Sequence, residues 1–518
     1  MLFNSLQFLI FLPIVVAVYY LIPRPAKHLW LLAASYYFYM CWNAAYALLM
    51  LLSTAVTYLC GLGLDALGRR ELPALKKLRL RRTVLWASLL INLAILFFFK
   101  YFNFAVDSLN ALLIHAGLQL NRPSFDVLLP VGISFYTFQA LGYTIDVYRG
   151  DIYAEKNFFR YTLFVSFFPQ LVAGPIERSK NLLKQLAVPK KCSYDNLREG
   201  LLLMLWGFFL KIVVADRLAL FVDTVYGQDY QNFGGVIVII ATVFFAIQIY
   251  CDFGGYSSIA MGAAKMLGID LMENFNTPYL SMSTAEFWRR WHISLSTWFR
   301  DYVYIPLGGN RKGRARKYLN LIITFGASGL WHGANWTFVV WGLLNGLYQI
   351  IGSLLMPLRR GFIRIFGLNE NSEGHRVLRM LFTFSLITVS WVFFRASSIS
   401  ILAAAFISAL FLSFLCSLFY GFWDMLRSCI YLNPWMLIDG SLYNLGLDRP
   451  NFVLVLFSLG LLLFADVMKY RGHCIRKVIL AQDGWCRALI VSCSISFILL
   501  FGIWGPAYDA ASFIYFQF

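Results

Sequence analysis

Residues 321–344 read LIITFGASGLWHGANWTFVVWGLL, and from Asn320 to Leu344 the chain carries no charged side chain. A run this long and this apolar can cross the hydrocarbon of a bilayer. Its middle does not suit a plain lipid-facing helix, because Gly329, Gly333 and Asn335 offer a bend around His332. From Lys317, the last basic residue before the run, to Trp331 a helix climbs only about 21 Å, against a hydrocarbon core of roughly 30 Å. His332 is therefore expected at depth, on a break. Backbone freed by a break is tolerated there only where protein or a water-filled cavity satisfies it. The fold class this decides is an all-α, polytopic integral membrane protein with broken or re-entrant helices around an internal cavity.

The rest of the chain agrees. Of 518 residues, 60% are hydrophobic and 14% charged, and the mean hydropathy is +0.66, which excludes an ordinary soluble protein. At roughly 20 apolar residues per span, about ten to thirteen spanning or re-entrant helices fit. The net charge of +18 does not point to nucleic acid, because the basic residues cluster between apolar runs. The clusters are Arg69 to Arg82, Lys180 to Lys191, Arg311 to Lys317, Arg359 to Arg364 and Lys469 to Lys477, read as short cytoplasmic loops that orient the chain. Nine cysteines show neither CxxC nor Cys/His ligand spacing, so no disulfide framework, metal site or bound cofactor is indicated. The N-terminus lacks a basic leader and a small-residue cleavage site and reads as a retained span.

Spans are expected near 3–22, 29–42 and 46–64, and again at 334–356, 376–395, 399–420, 451–470 and 486–506. Between about 130 and 335 the apolar runs carry Pro and Gly, and interrupted elements are expected around the cavity. No repeat or flexible linker divides the chain, so residues 1–518 read as a single membrane domain.

His332 admits two readings from spacing alone. An ionisable group at that depth is a functional candidate, and desolvation disfavours the imidazolium, leaving a neutral ring able to take a proton from a hydroxyl. The alternative is a histidine that only bonds a carbonyl freed at the break. His292 lies in AEFWRRWHISLSTWFRDYVYIPLGGNR, residues 285–311. On a continuous helix, Trp288, Trp291, Leu295, Trp298, Phe299 and Tyr302 form one apolar face. Arg289, Ser296 and Arg300 oppose it, with His292 at the border. That suits an interfacial helix with snorkelling arginines, or the wall of a polar funnel. Asp146 and Asp252 could line a polar pathway or pair with an arginine and hold the cavity together, and the structural role is the one expected.

The segments FWRRWHISLSTWFRDYVYIPLGGN (287–310) and GLWHGANW (329–336) resemble the membrane-bound O-acyltransferase family, in particular its bacterial branch of alginate O-acetylation. LPVGISFYTFQ, IDVYRGD, FFPQLVAGPIER, CDFGGYSSIAMG, MENFNTPYLS and the terminal FIYFQF add to the likeness. It runs from about residue 1 to 395, is looser to about 506, and returns at the last residues. The resemblance implies a ring of helices around a central tunnel, with residues 1–395 as its core and 396–518 as additional C-terminal helices. It implies His332 as catalytic base and His292 as the second active-site histidine, with Asn276, Trp288, Arg289 and Trp331 lining the tunnel. Acetyl-coenzyme A from the cytoplasm is the implied donor, a co-substrate; Arg311, Lys312 and Arg314 read as contacts for its phosphates or, equally, as snorkelling charges that orient the chain. The acceptor expected is an extracytoplasmic hydroxyl, on a separate extracytoplasmic or membrane-anchored transferase that serves a polysaccharide such as alginate, peptidoglycan or cellulose. The expected location is the bacterial plasma (inner) membrane. From another class, a transporter or flippase of a lipid-linked sugar or acyl carrier suits broken helices equally well.

Overall fold

The computed structural model describes residues 1–115, 117–118, 129–172, 174–227, 235–367, 369–395 and 440–504. Every α, π or 3-10 element among them is a helix. The expected span at 399–420 and the terminal FIYFQF lie outside the described residues. Seven described helices are long and apolar enough to cross a membrane: Ala44–Arg69, Ala74–Ala111, Val236–Met266, Trp336–Leu354, Glu373–Arg395, Arg449–Tyr470 and Gly484–Phe501. The chain is thus a polytopic all-α membrane protein. The expected boundaries are met within a few residues at most spans, since helices begin where a short polar side chain can cap them. Ser5, Asn43, Asn335 and Asp448 each accept a backbone N–H of the first turn.

Three expectations need correction. The basic segments are not simply loops: the chain is non-helical only briefly after Arg69, and Lys76 to Arg82 ride on the Ala74–Leu96 helix. Lys180 and Lys184 belong to the Ser179–Ala187 helix, and Arg359 to Arg364 to Met356–Ile365. Long basic side chains extend from a helix end to water without ending the helix. Second, the irregular region contains one unbroken helix of 32 residues, Gly235–Met266, which passes through Gly254 and Gly255. A Cβ at Gly254 would meet nothing nearer than 3.7 Å, so that glycine answers to no close approach. Third, the stretch around His292 is not one helix, as described below.

The chain divides into two compact units, Met1–Gly207 with Tyr256–Asn274, and Phe208–Gly255 with Phe275–Phe518. In the first, polar side chains tie the helices internally: Ser53 donates to Asn92 at 2.5 Å and Tyr161 to Thr57 at 2.7 Å. Interhelical hydrogen bonds of this kind hold helices together where lipid offers no hydrophobic drive. Asp146 accepts from the Ser179 hydroxyl at 2.6 Å.

In the second unit a π-turn, Phe209–Ala215, carries Lys211 inward. Its ammonium lies 2.7 Å from Asp216 and 2.6 Å from Asp252, all three side chains buried. Asp252 does pair with a cation, though a lysine rather than an arginine. Arg217 binds the same segment to the C-terminal helices, donating to Val213 O, Asn451 Oδ1 and Phe501 O.

Candidate active site

His332 is the last residue of the Gly313–His332 helix, and Trp336–Leu354 begins after Asn335, whose side chain accepts from Thr337 N at 3.1 Å. The break read from the sequence is there. The two helices return against one another because glycine faces glycine. A Cβ on Gly329 would meet Phe338 O at 2.2 Å, and one on Gly342 would meet Phe325 O at 2.2 Å. Close backbone approach through small residues is how helices pack within lipid. It also buries His332, 5% exposed, among the rings of Trp331, Trp341 and Phe394 at 4.9, 5.0 and 5.4 Å between centroids.

The second histidine reaches the same place by a different device. Two short helices, Thr284–Arg290 and Ile293–Phe299, flank an extended Trp291 and a left-handed His292 with φ of 42°. Ser283 caps the first helix, accepting from Glu286 N, while the Glu286 carboxylate accepts from Met282 N. The expected continuous helix therefore breaks at Trp291–His292, and its apolar face does not run through. A non-glycine residue at positive φ is costly by about 1–3 kcal/mol and persists only where its surroundings over-determine it. Here Trp291, 1% exposed, is packed by Phe275, Phe287 and Trp391 at 4.9, 5.3 and 5.0 Å, and Ser296 Oγ donates to Trp291 O at 3.1 Å.

The His292 ring, 1% exposed, stands edge-on to Phe253 at 4.6 Å and 6.0 Å from Trp331. The centroids of His292 and His332 lie 6.2 Å apart. Two imidazoles in an aromatic enclosure can pass or share a proton with a small group placed between or beside them.

Of the remaining expected residues, Trp331 is buried in this cluster, and Trp288 joins it indirectly, 5.6 Å from the Trp341 ring. Asn276 and Arg289 are exposed. The backbone of Asn276 is nonetheless fixed, its N–H donating to Arg290 O at 2.9 Å. Arg311, Lys312 and Arg314 are exposed at the other end of the His332 helix. Glycine is required in the turn before it, where Gly308 and Gly309 adopt φ of 109° and 55°.

Sequence reasoning missed the props. Arg290, not Arg289, organises the loop: it pairs with Glu286 at 2.9 Å and donates to Thr277 Oγ1 at 3.0 Å. Thr277 is the other non-glycine residue with positive φ among those described, 46°. Thr277-Pro278 gave no signal of it, since proline biases the residue before it toward extended backbone. Tyr250, against Trp291 at 6.2 Å, donates to the Asp466 carboxylate at 3.1 Å, and Lys469 donates to Phe275 O at 3.3 Å. Among the described residues no group of three or more His, Cys, Asp or Glu side chains gathers as a metal site.

This chain belongs to the membrane-bound O-acyltransferase family, whose family model matches residues 155–399, a range that holds both histidines. It is a multi-pass membrane acyltransferase. It is 42% identical over 404 residues to a probable alginate O-acetylase AlgI of Pseudomonas putida, covering 78% of this chain and 79% of that one. It is 33% identical over 432 residues to a peptidoglycan O-acetyltransferase of Helicobacter pylori, covering 77% and 78%. A teichoic acid D-alanyltransferase of Streptococcus thermophilus is 27% identical over 282 residues, 51% of this chain and 68% of that one.

Proposed function

We propose that the protein moves acetyl from cytoplasmic acetyl-coenzyme A through a tunnel ringed by its helices to an extracytoplasmic hydroxyl, in the service of polysaccharide O-acetylation. His332 is the general base. It takes the proton as the hydroxyl oxygen attacks the thioester carbonyl, the carbon–sulfur bond breaks, and the imidazolium returns the proton to the leaving thiolate. His292 shares the enclosure and steadies that proton, and Trp331 and Trp288 wall it. Asn276 and Arg289 stand further out along the tunnel. The observation that carries this reading is the pairing of two buried histidines, 6.2 Å apart, one at a helix break and the other on a left-handed backbone.

The helix axis supports the donor end. From Arg314 to His332 the helix rises about 27 Å. An extended pantetheine arm spans on the order of 16 Å at the reach of a stretched chain. An arginine side chain and the pyrophosphate can cover the remainder, so Arg311, Lys312 and Arg314 are within range of the phosphates. The identity to acetylases of alginate and peptidoglycan supports acetyl as the cargo and a glycan as its destination. A separate extracytoplasmic or membrane-anchored transferase completes delivery.

The test is His332→Ala, purified and checked for native unfolding. Acetyl transfer from labelled donor is expected to fall by about 10²–10⁴, with donor binding kept. A variant that still delivers its cargo at the wild-type rate identifies a carrier and sinks the assignment.

A further inference from the structure

A cavity of about 190 Å³ lies in the first unit, among residues that include neither His292 nor His332. Its lining brings together Arg24, Lys27, His28 and Arg160, with Leu31, Leu163 and Leu186 supplying an apolar floor. Among the described residues no Asp or Glu lines it.

The cations are not merely adjacent in sequence. Arg24 repels the Lys27 ammonium, and Arg160 repels a protonated His28. Lys27 is only 7% exposed; its ammonium donates to Lys190 O at 2.8 Å and lies over the Tyr19 and Tyr20 rings, with no carboxylate paired to it. Arg160 contacts Glu155 through Nη1 at 3.3 Å, and its buried Nε has no hydrogen-bond partner among the described residues. The side chains of Arg24 and His28 make no hydrogen bond or ion pair there. The Lys27–Met40 helix also begins here without a side-chain cap, adding the positive end of its dipole.

Three permanent cations and a histidine against one carboxylate leave uncancelled repulsion that an anion relieves. Forked guanidinium donors suit phosphate in particular. The volume is worth about six waters, room for a phosphate ester and its glycerol but not for a nucleotide.

We propose that this cavity binds the phosphate of a net-anionic ester, with an anionic phospholipid headgroup as its occupant and its acyl chains outside the cavity. A soluble phosphate ester offers the same chemistry from a second source, and the test separates the two. Full-length protein is exchanged into phosphatidylglycerol or phosphatidylcholine, and retained lipid is counted by native mass spectrometry. Wild type is expected to retain phosphatidylglycerol. Arg24→Gln/His28→Gln should lower retention about tenfold, the loss expected for charge-assisted contacts, while Arg24→Lys, which keeps the charge without the fork, should lose less. Lys27→Met, accepted only if its thermal unfolding matches wild type, should lose it as well. Displacement of phosphatidylglycerol by millimolar glycerol 3-phosphate from wild type but not from the variants supports the site with a soluble source. Equal phosphatidylglycerol retention in wild type and every variant overturns the proposal.

Discussion

At the scale of single residues, several of the molecule's most expensive groups have a defined counterpart. Lys211 between Asp216 and Asp252 is the clearest case, because removing one partner of a buried ion set leaves an uncompensated charge. Lys211→Met is expected to lower stability by about 3–5 kcal/mol, and Lys211→Met/Asp252→Asn to recover part of that loss. Chemical unfolding of the detergent-solubilised protein measures both, with Asp252→Asn alone completing the cycle, and a double-variant loss equal to the sum of the two single losses would show that the lysine and aspartate are uncoupled. His332 was legible as a candidate because a histidine among glycines in an uncharged run is costly. The partner of Asp252 was not, since a contact across 41 positions leaves no trace in local spacing. Thr277 and His292 were illegible for a related reason: their positive φ is imposed by Arg290, Trp291 and their neighbours, not by their own preference.

Among elements, the Gly313–His332 and Trp336–Leu354 pair decides where the catalytic candidate sits. Gly342→Ala would drive a methyl into Phe325 O and Gly329, so the helices must separate, at about 1–3 kcal/mol. Acetyl transfer is expected to fall with donor binding retained, because His332 moves with its helix. Gly352→Ala, on the same helix with no atom within 4 Å of the new methyl, is the control and should leave transfer unchanged. A similar loss in both would place the effect in helix propensity instead. Element identities were well legible wherever an apolar run was long and capped, as at Asn43 and Asn335. The Trp291–His292 break was not, because a hydropathy period carries no mark of a single residue turned left-handed.

For the whole molecule, the site depends on chain well beyond the stretch that matches the family model. Asp466 and Lys469, on the Arg449–Tyr470 helix, hold Tyr250 and the Phe275 carbonyl that back Trp291. Asp466→Leu/Lys469→Met should reduce acetyl transfer about tenfold, at the value of a buried polar contact or two, while leaving the protein folded. Steady-state transfer against calorimetric unfolding checks this, and full activity would make the C-terminal helix a bystander. Composition alone settled the membrane class, and the motifs singled out the two histidines that the fold brings together. The supporting contacts were beyond reach because they join distant segments through unremarkable residues.

The Ala74–Ala111 helix has a further consequence for how the protein meets its lipid. Thirty-eight residues make a rod of about 57 Å, nearly twice the roughly 30 Å of hydrocarbon it can occupy. Tilt cannot absorb such an excess. Lys76, Lys77, Arg79 and Arg82 stud its first turns, so the surplus length is expected to carry this end past the acyl chains like a mooring post, to the depth of the headgroups.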